Sequence, residues 1–487
     1  MELTYWLMLT IITPVAGALI ISQLDKYPNI REAITLITAF SLFGINIWLY
    51  LQHDGATYGY TFAEPIEGLA ISFVLNDFGL LFALIASGLW IATSIYAIGY
   101  MRAHHETHQT RFFTLFAVAI AGVMAVAYAE NLFTLFIFYE FLTVSTYPLV
   151  THAGTREAKR GGRIYILILM GSSILFFLPA MIIVWFTAGS LEFVKGGLLN
   201  GALDPVYVLP LLVLFLLGIS KAGIMPLHKW LPSAMVAPTP VSALLHAVAV
   251  VKAGVFSIVK VVVFIFGTDF ITESSANDWL IWVPAITILM ASFIALTKDN
   301  LKERLAYSTI SQLSYIVLGA MIANQLSIVG ASMHIAMHAF AKIALFFAAG
   351  AILVTAHKKY VSELKGLGRQ MPFTFVVFTI GTLSIIGLPF FGGMWSKWYL
   401  ISGGLEFTGV QATYWMILIT LSVSSMLNIF YLLSIPIQGF FAGEQKDVQI
   451  KEAPVACLIG MAIPTLMTLY LFFDPDIVYR LSLAVAG

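Results

Sequence analysis

Apolar runs of about 20 residues recur from one end of this chain to the other, each long enough to cross a bilayer as a helix. A backbone inside hydrocarbon must satisfy its own polar groups, which leaves a helix bundle or a closed barrel. The runs are continuously apolar and do not alternate with a period of two, so they select helices. Composition agrees: 60% of the 487 residues are hydrophobic and only 10% are charged, well under the roughly 25% charge of ordinary globular chains. The fold class expected is an all-α polytopic membrane protein of about 14 transmembrane helices. Spans are placed near 4–22, 33–52, 77–100, 112–129, 131–150, 164–188, 205–222, 240–265, 279–297, 305–322, 327–355, 372–396, 412–436 and 454–473.

With those spans the loops alternate in charge. One set holds Lys26 and Arg31, then Arg102 and Arg111, then Arg156, Lys159, Arg160 and Arg163. It continues with Lys229, with Lys298, Lys302 and Arg304, with Lys358, Lys359, Lys365 and Arg369, and with Lys446 and Lys451. The opposite set holds only Lys195 and Arg480. Basic loops face the cytoplasm, which places both termini outside it, in the cell (inner) membrane. The N-terminus lacks a basic n-region, so the first apolar run is expected to stay as a span and not to be cleaved as a signal peptide. A net charge of +0 argues against nucleic acid as a partner. Cys457, the one cysteine, can build neither a disulfide framework nor a cysteine metal site.

Five basic residues are left inside spans: Lys221, Lys252, Lys260, Lys342 and Lys397. One acid, Glu140, is embedded among Phe and Leu in the fifth span. A charge at the centre of a membrane helix costs about 2.5–3.5 kcal/mol on insertion scales, so such residues commonly face a cavity and mark an ion path. Forming and breaking a Lys–Glu pair changes the proton affinity of both partners, which makes the pair a switch. Lys260, near its span's end, could instead snorkel to the interface.

Histidines extend the row. His334, His338 and Lys342 follow each other at intervals of four, stacking along one helix face with about 6 Å of rise per step. His246 precedes Lys252 on another span, just after Pro238 and Pro240, and reads either as a relay or as a hydrogen-bonded packing residue. His104, His105 and His108 cluster in a charged loop and are read as solvated; no metal is expected.

Two spans are interrupted. One break reads Gly218-Ile-Ser-Lys221-Ala-Gly223-Ile-Met-Pro226, the other Gly387-Leu-Pro389-Phe-Phe-Gly392-Gly393, and each has a buried lysine at or beside it. Paired breaks in two halves point to inverted repeats around a transport site. They fall in the seventh and twelfth spans, and a shift of five reverses orientation. The organisation expected is three helices over 1–111, a first five-helix repeat over 112–265, an inverted second over 266–436, and a C-terminal helix within 437–487.

The stretch from Ser220 to His246, with Pro226 inside it, resembles the hallmark of the antiporter-like subunits of Mrp cation/proton antiporters, complex I and membrane-bound hydrogenases. Val251-Lys252-Ala-Gly, the run from Asp299 through Lys302, Arg304 and Tyr307 to Gln312, and His338-Ala-Phe-Ala-Lys342 follow in that family's order. The resemblance covers roughly residues 70 to 400. It implies the fourteen-helix fold, with pairing of Glu140 with Lys221 and proton passage through Lys252, His338 and Lys342 toward Lys397. The Trp-Ser-Lys-Trp pattern at Lys397 and the chain length look most like the Mrp D subunit.

The function expected is proton translocation within a multisubunit Na+/H+ antiporter, or alternatively in a complex I-like or hydrogenase assembly. Glu140, Lys221, Lys252, His334, His338, Lys342 and Lys397 form the relay, with His246, Pro226, Pro389 and Asp299 in support. Partners are other membrane subunits, protons, possible Na+ and lipid. No cofactor is expected, because there is no cysteine cluster and no dinucleotide fingerprint. A solitary carrier of a sugar or amino acid would need a polar substrate pocket that the sequence does not display, and an inactive scaffold would not need the relay residues.

Overall fold

The computed structural model describes residues 2–443 and 449–487; Lys446, expected in a basic loop, lies outside the described residues. Among the described residues, twelve helices are long and apolar enough to cross a membrane, and two shorter apolar helices accompany them. Together they match the expected spans one for one. The first half comprises α1 (Leu3–Ser22), α2 (Pro28–Gln52), α3 (Asp77–Ala103), α4 (Gln109–Ala127), α5 (Leu132–Val150), α6 (Arg156–Ala188) and the short α7 (Pro205–Gly218). Next come α8 (Thr239–Phe266), α9 (Asn277–Thr297), α10 (Leu301–Ile322) and α11 (Gln325–Ala356). The chain closes with α12 (Pro372–Ile386), α13 (Gly393–Leu405), α14 (Gln411–Phe441), α15 (Val455–Phe473) and α16 (Asp476–Ala486).

Side-chain caps set several helix starts. Asn76 accepts from Gly79 N at α3, Asn131 from Thr134 N at α5, Thr155 from Ala158 N at α6 and Asn300 from Glu303 N at α10. Asn324 and Ser327 form a reciprocal capping box at α11. Each cap satisfies a backbone donor that the first turn would otherwise leave unpaired.

Burial divides the helices. The apolar windows of α8 and α10 are 94% buried by their neighbours, whereas those of α1 and α2 are 33% buried. α8 and α10 therefore make the innermost layer, with α3, α4 and α11 also largely buried, and α8 and α11 carry Lys252, His334, His338 and Lys342. α8 contains two π-helical turns, Leu244–Val248 and Val261–Phe266, and α14 contains one, Ile429–Leu433. Such turns add a residue to the helix and rotate the side chains that follow.

The structure adds two elements that the sequence reading left out. β1 (Tyr58–Ile66) pairs antiparallel with β2 (Leu69–Leu75) between α2 and α3, with irregularities between Thr61 and Ala63 and between Ala63 and Ile66. Those irregularities interrupt the period of two that marks a strand. α16 spans only about 16 Å, too short to cross, and buries Val478, Leu481, Ser482 and Val485 on one face.

The twelfth span also differs from expectation. The sequence places its end at 396, but α13 carries helix on to Leu405, because Gly392 and Gly393 restart the helix after the break instead of ending it. Lys302, expected in a loop, sits in the first turn of α10 and donates from Nζ to Ala237 O at 2.6 Å.

Candidate functional site

The seventh span comes apart where glycines let other chain segments approach. α7 ends at Gly218, a 3-10 turn covers Ser220–Ala222, and Gly223 takes φ +75°, a left-handed conformation that glycine adopts without penalty. A methyl group on Gly254 of α8 would meet the Lys221 Cβ at 2.8 Å, so the bare backbone there lets α8 lie against the break. The break is tied down by Trp230 Nε1 donating to Ser220 O at 3.0 Å, and by the hydroxyls of Ser172 and Ser220, 2.6 Å apart. Pro226 falls further along the same non-helical stretch, where it has no helix bond to remove.

Lys221 points from this break onto α5. Its Nζ donates to Tyr139 O at 2.8 Å and to Thr143 Oγ1 at 2.6 Å, and it stands 3.2 Å from the centre of the Tyr139 ring. Glu140 is the next residue on α5. Both Glu140 carboxylate oxygens are buried and accept no hydrogen bond. The direct Glu140–Lys221 pair expected from the resemblance is thus open in this arrangement, because a carbonyl and a hydroxyl of α5 hold the ammonium group instead.

At the centre of the bundle, Lys252 Nζ lies 2.6 Å from His338 Nδ1, joining α8 to α11. One turn along α11, Lys342 Nζ donates to Ser308 Oγ on α10 at 2.7 Å. One turn the other way, His334 packs 5.8 Å from the His338 ring, with Nδ1 2.8 Å from Ser396 Oγ and Nε2 3.2 Å from Gln312 Oε1. An amide oxygen only accepts, so His334 Nε2 carries the proton in that contact. All four side chains are at most 2% exposed.

The twelfth span breaks between α12 and α13, and Pro389 lies in the gap. Gly387 has φ +90°, and a methyl group on it would meet Lys397 Cδ at 2.6 Å. Lys397 reaches back from α13 to donate to Ile386 O at 3.1 Å, capping the C-terminal end of α12, where cations are favoured. It also donates to Ser425 Oγ at 3.2 Å and lies 4.9 Å from the Tyr315 ring centre.

His246 sits in a π turn of α8 with both ring nitrogens buried and without a partner, 4.8 Å from the Phe346 ring. It is therefore not the hydrogen-bonded packing histidine that the sequence left open. Lys260 does not snorkel. It is buried and donates to Ala129 O at 2.7 Å, with the Phe193 ring 4.3 Å away. Asp299 lies outside the bundle core, where it accepts from Ser362 N at 3.0 Å and Ser362 Oγ at 2.8 Å and joins two loops. The sequence reading gave no role to Thr143, Ser308 and Ser425, which bond Lys221, Lys342 and Lys397, or to Gln312 and Ser396, which bond His334.

A nearly all-helical bundle with buried lysines at two helix breaks and a lysine–histidine contact inside it defines a class of membrane transport subunit. The profile of the family described as NADH:quinone oxidoreductase/Mrp antiporter, transmembrane, matches residues 129–428, and the chain belongs to that family. The NADH-quinone oxidoreductase subunit N of Desulforudis audaxviator is 32% identical over 75% of this chain and 72% of its own length. A Na(+)/H(+) antiporter subunit of Alkalihalophilus pseudofirmus is 29% identical over 85% of this chain, which spans 54% of that larger protein. The fold also matches a chain of the Mrp complex from Dietzia sp. with a TM-score of 0.86 at 21% identity, covering 100% of this chain and 97% of that one. These relatives are subunits of multisubunit membrane complexes, and this chain is a multi-pass membrane subunit of the same kind.

Proposed function

We propose that the chain is the proton-translocating subunit of a multisubunit monovalent cation/proton antiporter, with Na+ as the exchanged cation. The Lys252–His338 contact carries this reading, because it places two proton-exchanging groups at 2.6 Å in the middle of the bundle. Ionisable groups continue from it on both sides, to Lys221 and Glu140 at one break and through Lys342 and His334 to Lys397 at the other. Protons enter from the cytoplasm, reach Lys252 past Lys221 and Glu140, pass to His338 and Lys342, and leave outward at Lys397. A cavity of 480 Å³ lined by Glu106, Lys302, Lys358 and Pro238 opens on the side of the basic loops and supports cytoplasmic entry there, with both termini on the other side. His246, on the helix that begins beside this cavity, is placed to take up the entering proton.

Two breaks five spans apart support organisation as opposed five-helix units over 112–265 and 266–436. Lys397, within its Trp-Ser-Lys-Trp pattern, supports the D-type subunit of an Mrp antiporter. The similarity to a subunit N supports a second reading, in which the same relay serves a complex I-like or hydrogenase assembly whose redox centres lie in other subunits.

The test is Glu140→Ala and Lys221→Ala in the assembled complex in vesicles, with proton uptake followed on addition of Na+. Loss of uptake with assembly intact is expected; near-normal uptake in Glu140→Ala contradicts the role given to the acid. Co-purified subunits discriminate between the readings, since iron–sulfur or nickel–iron partners indicate a redox-driven assembly.

A further inference from the structure

A second cavity on the side of the basic loops lies apart from the relay. It holds 310 Å³ where α11 ends and where α12 and α15 begin. Lys358, Lys365 and Lys451 line it, and among the described residues around it the one carboxylate is Glu363. The backbone beside each lysine is pinned. Leu301 N donates to Lys359 O at 2.9 Å, Gly366 N to Gln438 O at 3.1 Å and Lys451 N to Gln370 O at 2.9 Å.

The nearby acids are already engaged. Glu363 Oε2 accepts from Lys359 N and Tyr360 N at 3.2 Å, and its Oε1 lies 3.8 Å from Lys358 Nζ. Glu452 caps α12, accepting from Phe373 N at 2.7 Å and from Thr374 Oγ1 at 2.6 Å. Lys365 and Lys451 form no ion pair among the described residues. The 480 Å³ cavity differs, because there Glu106, Glu157 and Glu303 offset Lys302, Lys358 and Lys359. Basic loops set orientation wherever their charges fall, which explains the side these lysines occupy and not their convergence on one cavity.

We infer that this cavity binds the phosphate group of an anionic phospholipid. It lies at the level of the helix ends, where lipid headgroups begin. Just inside the membrane the surface turns apolar. α12 and α15 pack side by side, and Phe373, Val376, Val455 and Ile459 in their first two turns are exposed. A cationic cavity beside exposed apolar turns matches a phospholipid at both ends: ammonium groups donate to phosphate oxygens and acyl chains lie along the helices. A soluble anion would use only the first of these features. The inference stands whether or not the chain translocates protons.

The experiment titrates the purified, delipidated complex in neutral detergent with phosphatidylglycerol, phosphatidylcholine or inorganic phosphate, and counts bound molecules by native mass spectrometry. The double variant Lys365→Gln, Lys451→Gln is compared with Lys159→Gln, Arg160→Gln, which removes as much charge from an exposed part of α6. A lysine beside an anionic headgroup contributes about fivefold in affinity. The cavity variant should therefore bind phosphatidylglycerol more than about tenfold more weakly, and the α6 variant within about twofold of the parent. Parental affinity in the cavity variant overturns the site. So does an equal loss in both variants, which reduces the effect to general surface charge. A parent complex with no preference for phosphatidylglycerol over phosphatidylcholine overturns it too. Inorganic phosphate bound as tightly as phosphatidylglycerol, and lost in the same variant, marks a soluble-anion site and overturns the lipid. Should the double variant fail to assemble, Lys365→Gln alone decides, with a loss of about fivefold expected.

Discussion

Lys252 Nζ and His338 Nδ1 stand 2.6 Å apart with both side chains inside the protein, and the pair can hold one positive charge but not two. Two like unit charges at that separation repel by about 6 kcal/mol even at an effective dielectric of about 20. A proton arriving at one therefore drives the other neutral, so the contact holds a single positive charge. Either Lys252→Ala or His338→Ala should lower proton flux by more than about tenfold, and the double variant should do little further harm. Additive losses, measured as proton uptake per assembled complex, would show that the two act independently.

Thr143 supplies the shortest contact to Lys221, at 2.6 Å. Thr143→Val should keep assembly and shift flux only a few-fold, because Tyr139 O still holds the ammonium and Glu140 remains near. Glu140→Gln, which keeps shape and removes charge, should cost more than about tenfold. A Thr143→Val complex as inactive as Glu140→Gln would move the functional weight from the acid to the hydroxyl.

Lys260 differs in kind from the other buried lysines. It ties α8 to the chain just beyond α4 through Ala129 O, so Lys260→Met should leave a buried carbonyl unpaired and destabilise the protein by about 1–3 kcal/mol. Flux per assembled complex should stay within about twofold. Thermal unfolding of the purified complex measures the first and vesicle uptake the second; inactivity at normal stability would place Lys260 in the relay.

Asp299 is also a tie. Asp299→Ala removes two hydrogen bonds to Ser362, at about 0.5–1.5 kcal/mol each. Little change in flux per complex is expected, with faster proteolysis of the loop after α11. Abolished flux in a stable Asp299→Ala complex would require a direct role.

Gly254→Ala tests the break itself. The added methyl group would meet the Lys221 side chain at 2.8 Å, with backbone of the break also in the way. Overpacking at such a contact costs about 1–3 kcal/mol. Reduced assembly and reduced flux together are expected, and a variant indistinguishable from the parent in both would show that the break tolerates displacement.

The apolar runs, the loop charges and the lysines were legible because burying charge in a membrane is costly enough to leave its mark on composition. Lys221, Lys252, Lys342 and Lys397 stand out against leucine-rich surroundings with no structure in hand. The partners of those lysines and of His334 did not stand out. Thr143, Ser308, Ser396 and Ser425 are ordinary helix residues whose meaning depends on which neighbouring helix they face, and a span-by-span reading carries no information about that. The strand pair at 58–75 was hidden by irregularities between Thr61 and Ile66, where Pro65 lies, and α16 was missed because its 11 residues are too few for a span. The open Glu140–Lys221 contact shows a further limit. Sequence can bring an acid and a base to the same place, but it does not say which of several acceptors the base takes.

Lys397 clips one half of a divided helix to the other through Ile386 O. An ammonium group makes a charge-assisted bond to that carbonyl, and a neutral amine makes a much weaker one. The strength of this clip therefore depends on the charge of Lys397: it is firmer with the ammonium than with the neutral amine. On the proposed relay, protonation of this one side chain would thus set how firmly the two helix segments hold together.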